Sequence, residues 1–240
     1  MPLHNFPQDR FPGLLRYNFF DRDAMSLPTL PVPRVDDFEV SGDGTHASWS
    51  KAEWATLGRF HGERPYETRF KVLYSATGLY VFMHNSDRKI TAPHREDFMD
   101  LFDADVCEIF LWPDERYPLY FEYEISPLGR ELVLLVPRLD GEFFGWRPWH
   151  YENDRCVLKK TAAIGGSLEH GATIEAWTCE VCIPFELLKP LCNVPPRPGM
   201  QWRANFYRID HDDDEFEGWH WAPVVKDFHE YERFGTLLFE

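Results

Sequence analysis

The stretch from Asp105 to Gly129, DVCEIFLWPDERYPLYFEYEISPLG, constrains the fold of this chain more than any other. It reads as two antiparallel strands, and along a strand successive side chains point to opposite faces. Cys107, Ile109 and Leu111 therefore share one face, with Glu108, Phe110 and Trp112 on the other. In the second strand Phe121, Tyr123 and Ile125 form the apolar row and Glu122, Glu124 and Ser126 the opposite one. If both apolar rows face a core, the reverse of the sheet presents carboxylates beside aromatic rings. Flat apolar surface next to hydrogen-bonding oxygens suits a sugar ring.

Strand patterns dominate the rest of the chain. TRFKVLYS and LYVFMHNSD form a hairpin about Ala76-Thr77-Gly78, whose glycine supplies the turn. ELVLLVP, the segment ending at Ile183, QWRANFYRID and RFGTLLFE add further strands. Short helical turns are expected near Trp49 and at Pro184–Leu188, where proline suits a first turn. Many short strands with few helices predict an all-β, two-sheet antiparallel sandwich. Residues 1–35, rich in proline and aromatics and without periodicity, read as an extended arm laid over one domain of residues 36–240.

Composition narrows the partners. A formal charge of -15 argues against nucleic acid and anionic membranes, which need clustered lysine and arginine. No apolar run approaches a membrane span. The first twenty residues lack the basic start and apolar core of a secretory leader, so the expected location is the cytoplasm, or outside the cell if a leader has been trimmed. Five cysteines occur. Cys179 and Cys182 lie three apart on a strand and so point to opposite faces, which excludes joint chelation. No Walker loop, dinucleotide fingerprint or G-x-S-x-G is present.

Several ordered segments resemble the family 9 carbohydrate-binding modules (CBM9) and their DOMON-like relatives, from about Asp36 to the C-terminus. GDGTHASWSKAEW is similar to the family's opening, and LYVFMHNSD to its hairpin with Asp87. Phe102-x-x-Asp105-x-x-Glu108-Ile109-Phe110 resembles W-x-x-D-x-x-E-[IV]-F. YEISPLG, WTCEVCIPFELL, PGMQWRANFYRID, Trp221-Ala222-Pro223 and FHEYERFGTLLF match the later segments in order. The resemblance implies a jelly-roll-type sandwich that binds a mono- or oligosaccharide between two aromatic side chains, in glycan breakdown and beside a separate glycan-active enzyme.

Mapped by motif, Phe102 stands at the first aromatic position and Phe228 or His229 near the second. Both depart from the tryptophans of well-known members, and Trp112, Trp219 or the Trp146/Trp149 pair are candidates to restore the lost area. Glu108 matches a sugar-contacting glutamate, and strand parity independently places it off the core face. Glu124 stands where a basic residue is used in a relative. Asn205 shares a face with Arg203 and Tyr207, while Arg208 takes the opposite one, as a sugar contact or a structural ion pair. A solvated acidic strand edge is the plainer reading of the glutamates.

No cofactor is required by any motif. The resemblance does imply a structural calcium, for which Asp105, Asp212 and Asp214 are candidates. The alternative to a binding module is a glycoside-cleaving enzyme in which Glu108 and Glu124, or Glu122, form an acid–base pair. Haem binding through His84 or Met83 is a nominal third reading.

Overall fold

Period-two alternation underlies the strands, which dominate the regular structure among the described residues. The computed structural model describes residues 27–139, 142–143 and 151–240, so residues 1–26, Trp146 and Trp149 lie outside the described residues. One sheet has the order β1 (Thr29–Val32), β14 (Gly235–Phe239), β12 (Gln201–Asp210), β6 (Val106–Trp112), β7 (Leu119–Ile125), β8 (Glu131–Leu139) and β9 (Glu142–Phe143). Beside β12 it is extended by β13 (Glu217–His220) and β3 (Gly58–His61). The second sheet runs β10 (Leu158–Ile164), β11 (Ala176–Pro184), β5 (Gly78–Ser86), β4 (Thr68–Tyr74) and β2 (Ala55–Thr56). Every pairing is antiparallel except β1 with β14. The expected hairpin, the sandwich and the helical turn α1 (Phe185–Leu188) are all present. Thr29–Val32, expected within an extended arm, is instead a strand of the larger sheet.

The core lies between the sheets. Cys107, Ile109, Leu111, Phe121, Tyr123 and Ile125 face Val72, Val81, Met83, Cys179 and Val181. Phe70 and Phe206 stack across the gap with ring centres 4.1 Å apart, which ties the two sheets directly. Cys179 belongs to this core, while Cys182 packs on the outer face with Tyr80 and Phe82, so the pair does point to opposite sides.

The outer face of the smaller sheet is covered by the segment 35–54, whose Trp49 is buried against Phe82. One carboxylate anchors that cover. Glu180, on β11, accepts hydrogen bonds from the backbone N–H of Ser41 (2.9 Å) and Gly42 (2.7 Å), the Ser41 hydroxyl (2.8 Å) and the Trp49 indole N–H (2.7 Å). Gly42 makes this approach with φ +91°, and a Cβ there would lie 2.9 Å from that of Lys160.

Removing the acceptor leaves two buried donors, the Gly42 N–H and the Trp49 indole N–H, without partners, each a cost of about 1–3 kcal/mol. Glu180→Ala is expected to lower unfolding free energy by about 3 kcal/mol or more, measured by chemical denaturation. A loss below about 1 kcal/mol would mean that the cover is held by apolar packing alone.

Candidate functional site

Strand β6 sits inside the larger sheet, between β12 and β7. Its register places Glu108 opposite Glu124 on one side and Tyr207 on the other, and Phe110 opposite Glu122 and Asn205. Parity therefore gathers Glu108, Glu122, Glu124, Phe110, Tyr120 and Tyr207 on the outer face. That face is not a solvated edge. Leu101, Val224 and Phe234 close over it and, with Val106, Phe110, Leu132, Leu134 and Val136, form a second apolar cluster. Glu108, Glu122 and Glu124 are 3%, 4% and 1% exposed.

The rim is aromatic and half-buried. Phe102 rides on the 3-10 turn Leu101–Asp103 and packs on the outer cluster. Phe228 lies flat on Tyr207, with ring centres 4.1 Å apart and planes 11° from parallel. Its carbonyl accepts from the Tyr207 hydroxyl at 2.8 Å. His229 Nδ1 lies 2.6 Å from the Tyr120 hydroxyl and 3.9 Å from Glu122 Oε2.

Burial dominates the electrostatics. It raises Glu122 to about 8. It also raises Glu108, helped by Glu122, and Glu124, helped by both neighbouring glutamates. Glu122 and Glu124 are within hydrogen-bond reach of one another, an arrangement that needs a shared proton. The Oε2 atom of each is buried, and among the described residues no N–H or hydroxyl group donates to it. Burial, and then the charge of Arg138, lower the pKa of His229. Burial thus favours the uncharged forms of these carboxyls and of the imidazole.

The other candidate residues fall in different places. Asn205 shares the outer face, but its amide is committed. It donates to the Tyr207 hydroxyl (2.6 Å) and the Ala222 carbonyl (2.9 Å) and accepts from the N–H groups of Phe206 and Ala222. It positions Tyr207 rather than reaching a ligand. Trp112 is buried on the same face, its indole donating to the Tyr117 carbonyl at 2.7 Å.

Arg208 and Trp219 do not reach the face. Arg208 points between the sheets, fully buried, and donates to Asp210 (2.6 Å) and the Ser86 carbonyl (2.7 Å). Asp87 lies 3.1 Å from the same guanidinium, close enough for charge pairing but off the hydrogen-bonding direction. The guanidinium is 4.8 Å from the Trp219 ring, which also packs under Arg59 and is 2% exposed. Asp105 is on the inner side too, accepting from the N–H groups of Thr91 and His211. One carboxylate oxygen from each of Asp105, Asp87 and Asp210 lies within 4.8 Å of the other two. Asp212 is not part of that group: Tyr66 and Arg88 take its carboxylate at 2.6 and 3.0 Å. The side chain of Asp214 lies outside the described residues.

Sequence reasoning passed over Tyr120 and Tyr207 as site residues, although both fall on the Glu108 parity. It also did not join Asp87 and Asp210 to Asp105, since their meeting depends on how the sheets close.

Comparison with known proteins agrees with this fold. A protein of Bacteroides uniformis described as carbohydrate-binding superposes with a TM-score of 0.70 at 18% identity, over 90% of this chain and 100% of its own. A CBM9 module from Caldicellulosiruptor kristjanssonii, solved with cellotriose, gives 0.64 at 13% identity over 89% of this chain and 94% of its own. The fold is CBM9-like. The same module solved with glucose matches equally well, at 0.64 and 13% over 89% of this chain and 96% of that one. No family model matches the sequence, and no curated protein does.

In this CBM9-like sandwich the raised glutamates reverse the usual effect of alkali on a folded acidic protein. Glu122 titrates near 4.5 when unfolded and about 8 when folded, so the folded state binds more protons between those values. Stability then falls as pH rises through that window. His229, with an ordinary value of 6.5 lowered by folding, opposes the trend only below 6.5. Between pH 6.5 and 8 Glu122 alone is expected to lower the unfolding free energy by roughly 1–2 kcal/mol, Glu108 and Glu124 act in the same direction, and Glu122→Gln should reduce the slope. Denaturation curves that are flat or rising across the window in the unsubstituted protein would contradict the buried-acid assignment.

Proposed function

We propose that the outer face of the larger sheet binds a saccharide non-covalently. The observation that carries this is the convergence of Glu108, Glu122 and Glu124 on one face of the sheet, with Phe102 and Phe228 packed at its edge. Carboxyl groups beside aromatic rings offer hydrogen bonds to hydroxyls and flat apolar surface to a sugar ring. Each aromatic ring buries roughly 150–250 Å² when fully covered, so a partly covered pair contributes a few kcal/mol, suited to micromolar or weaker affinity. The cellotriose and glucose held by the CBM9 structures support the same ligand class. In this reading the protein holds a glycan for a separate glycan-active enzyme during its breakdown.

The electrostatics favour binding over cleavage. An acid–base pair needs environments that push two carboxyls apart in pKa. Burial pushes Glu108, Glu122 and Glu124 the same way, leaving no carboxylate ready to act as nucleophile or base at neutral pH.

Structural calcium would use the inner cluster. Asp87, Asp105 and Asp210 present three carboxylates to one another against the single guanidinium of Arg208, and burial raises Asp87 to about 7. A divalent ion there would supply the charge that Arg208 alone leaves uncompensated and would clamp β5, β6 and β12 together.

Proton NMR of a panel of mono- and oligosaccharides with the protein tests the main reading. Selective broadening of one sugar's signals is expected, with no new anomeric peaks over a day; new peaks would make the protein an enzyme. Phe102→Ala should weaken binding at least tenfold with little change in melting temperature, whereas a large loss of stability would make Phe102 part of the core. Added calcium is expected to raise the melting temperature over that in chelator, more at pH 8 than at pH 5, because the ligands must shed protons. An unchanged melting temperature would leave Arg208 and bound protons as the compensating charges.

A further inference from the structure

We infer that strand β10 is an interface with a second copy of this chain, in which the edges of two smaller sheets pair antiparallel about a two-fold axis at Thr161. The pairing is independent of the saccharide reading above.

A sheet edge carries unpaired N–H and C=O groups and recruits other strands unless it is short, interrupted by proline or covered. Most edge strands of this sandwich are blunted in that way. β2 and β9 have two residues each, β3 has four, and β1 has four with Pro31 among them. β10 is the exception. It has seven residues and no proline, and among the described residues it pairs with β11 alone. Its inner row is committed to its own chain: Lys159 reaches Glu131 at 2.8 Å, Thr161 lies beside Gly129, and Ala163 packs on the core. Its outer row begins and ends on Leu158 and Ile164, which are 57% and 40% exposed.

The order of residues along β10 fits this strand to its own copy. Turned about Thr161, Leu158 stands opposite Ile164 of the second copy, and Ile164 opposite its Leu158. Lys159 then meets Ala163, and Lys160 meets Ala162, so no two lysines are directly opposed. Each exposed apolar end is covered by the other kind, twice by symmetry, which is the self-complementarity that a two-fold interface requires. Gly42 packs over the outer face at Lys160, so the second copy meets the edge of the sheet and not its face. Seven paired residues make a small interface, and the association is therefore reversible and dependent on concentration. The axis of an antiparallel pair is perpendicular to the sheet. Both larger sheets thus stand on the same side, with their Glu108 faces turned the same way, an arrangement that gains avidity on a repeating ligand.

Sedimentation velocity of the full chain from about 1 to 200 µM tests this, in about 0.15 M salt to screen the formal charge of -15. The mean mass is expected to climb from monomer towards dimer across that range. Leu158→Glu and Ile164→Lys, both at exposed positions, should each weaken association at least about tenfold and leave the melting temperature of the dilute protein unchanged. The double variant sets opposite charges across the axis and should restore association to within about threefold of the unsubstituted chain. A monomer at every concentration would overturn the inference. A dimer that neither single variant weakens would place the interface elsewhere and overturn the assignment to β10. A dimer weakened by both single variants and not restored in the double variant would overturn the pairing about Thr161.

Discussion

Strand β6 is covered on both faces, and the rest of the structure is organised around that constraint. Its inner row packs against the second sheet, and its outer row lies beneath Leu101, Val224 and Phe234. A carboxyl group on the outer row therefore has water withdrawn from it, and it must keep its proton, find a donor or meet a cation. Glu108, Glu122 and Glu124 all fall on that row, and the protein surrounds them with aromatic rings rather than basic side chains. The result is a cluster of acids held close together in a low-dielectric setting.

The opposite solution is found on the inner side of the same sheet. Where Asp87, Asp105 and Asp210 converge, Arg208 is buried with them, and Tyr66 and Trp219 flank its guanidinium. A buried charge pair of this kind adds little net stability over apolar packing, but losing one partner is costly. It fixes how the ends of β5 and β12 meet. Glu180 has a similar role for the cover on the smaller sheet, accepting from backbone and indole donors at once. Acidic groups in this molecule thus differ in role by how completely their oxygens are satisfied: fully at Glu180, largely at Asp105, and least at Glu122 and Glu124.

This distinction bears on the candidate residues. Asn205 and Glu108 share a face and would be equal candidates on parity alone. The Asn205 amide has its donors and acceptors occupied by protein, so it positions Tyr207 and the chain at Ala222. Arg208 and Trp219 are the reverse case: their chemistry suits a sugar, but they sit between the sheets.

Strand parity was legible in the sequence because it depends only on backbone geometry. Period two separated Cys107, Ile109 and Leu111 from Glu108, Phe110 and Trp112, sent Cys179 and Cys182 to opposite faces, and put Arg208 opposite Asn205. The all-β sandwich followed from repeating that pattern, and the ordered motifs agree with its CBM9-like form. What lies over a face is a different matter, because it is decided by segments distant in the chain. The cover from Val224 to Phe234, the closure of Asp87 and Asp210 upon Asp105, and the strand at Thr29–Val32 all needed the tertiary structure. Alternation is a local property of each strand; burial, and with it the proton content of the glutamates, is set by which distant segments pack against that strand.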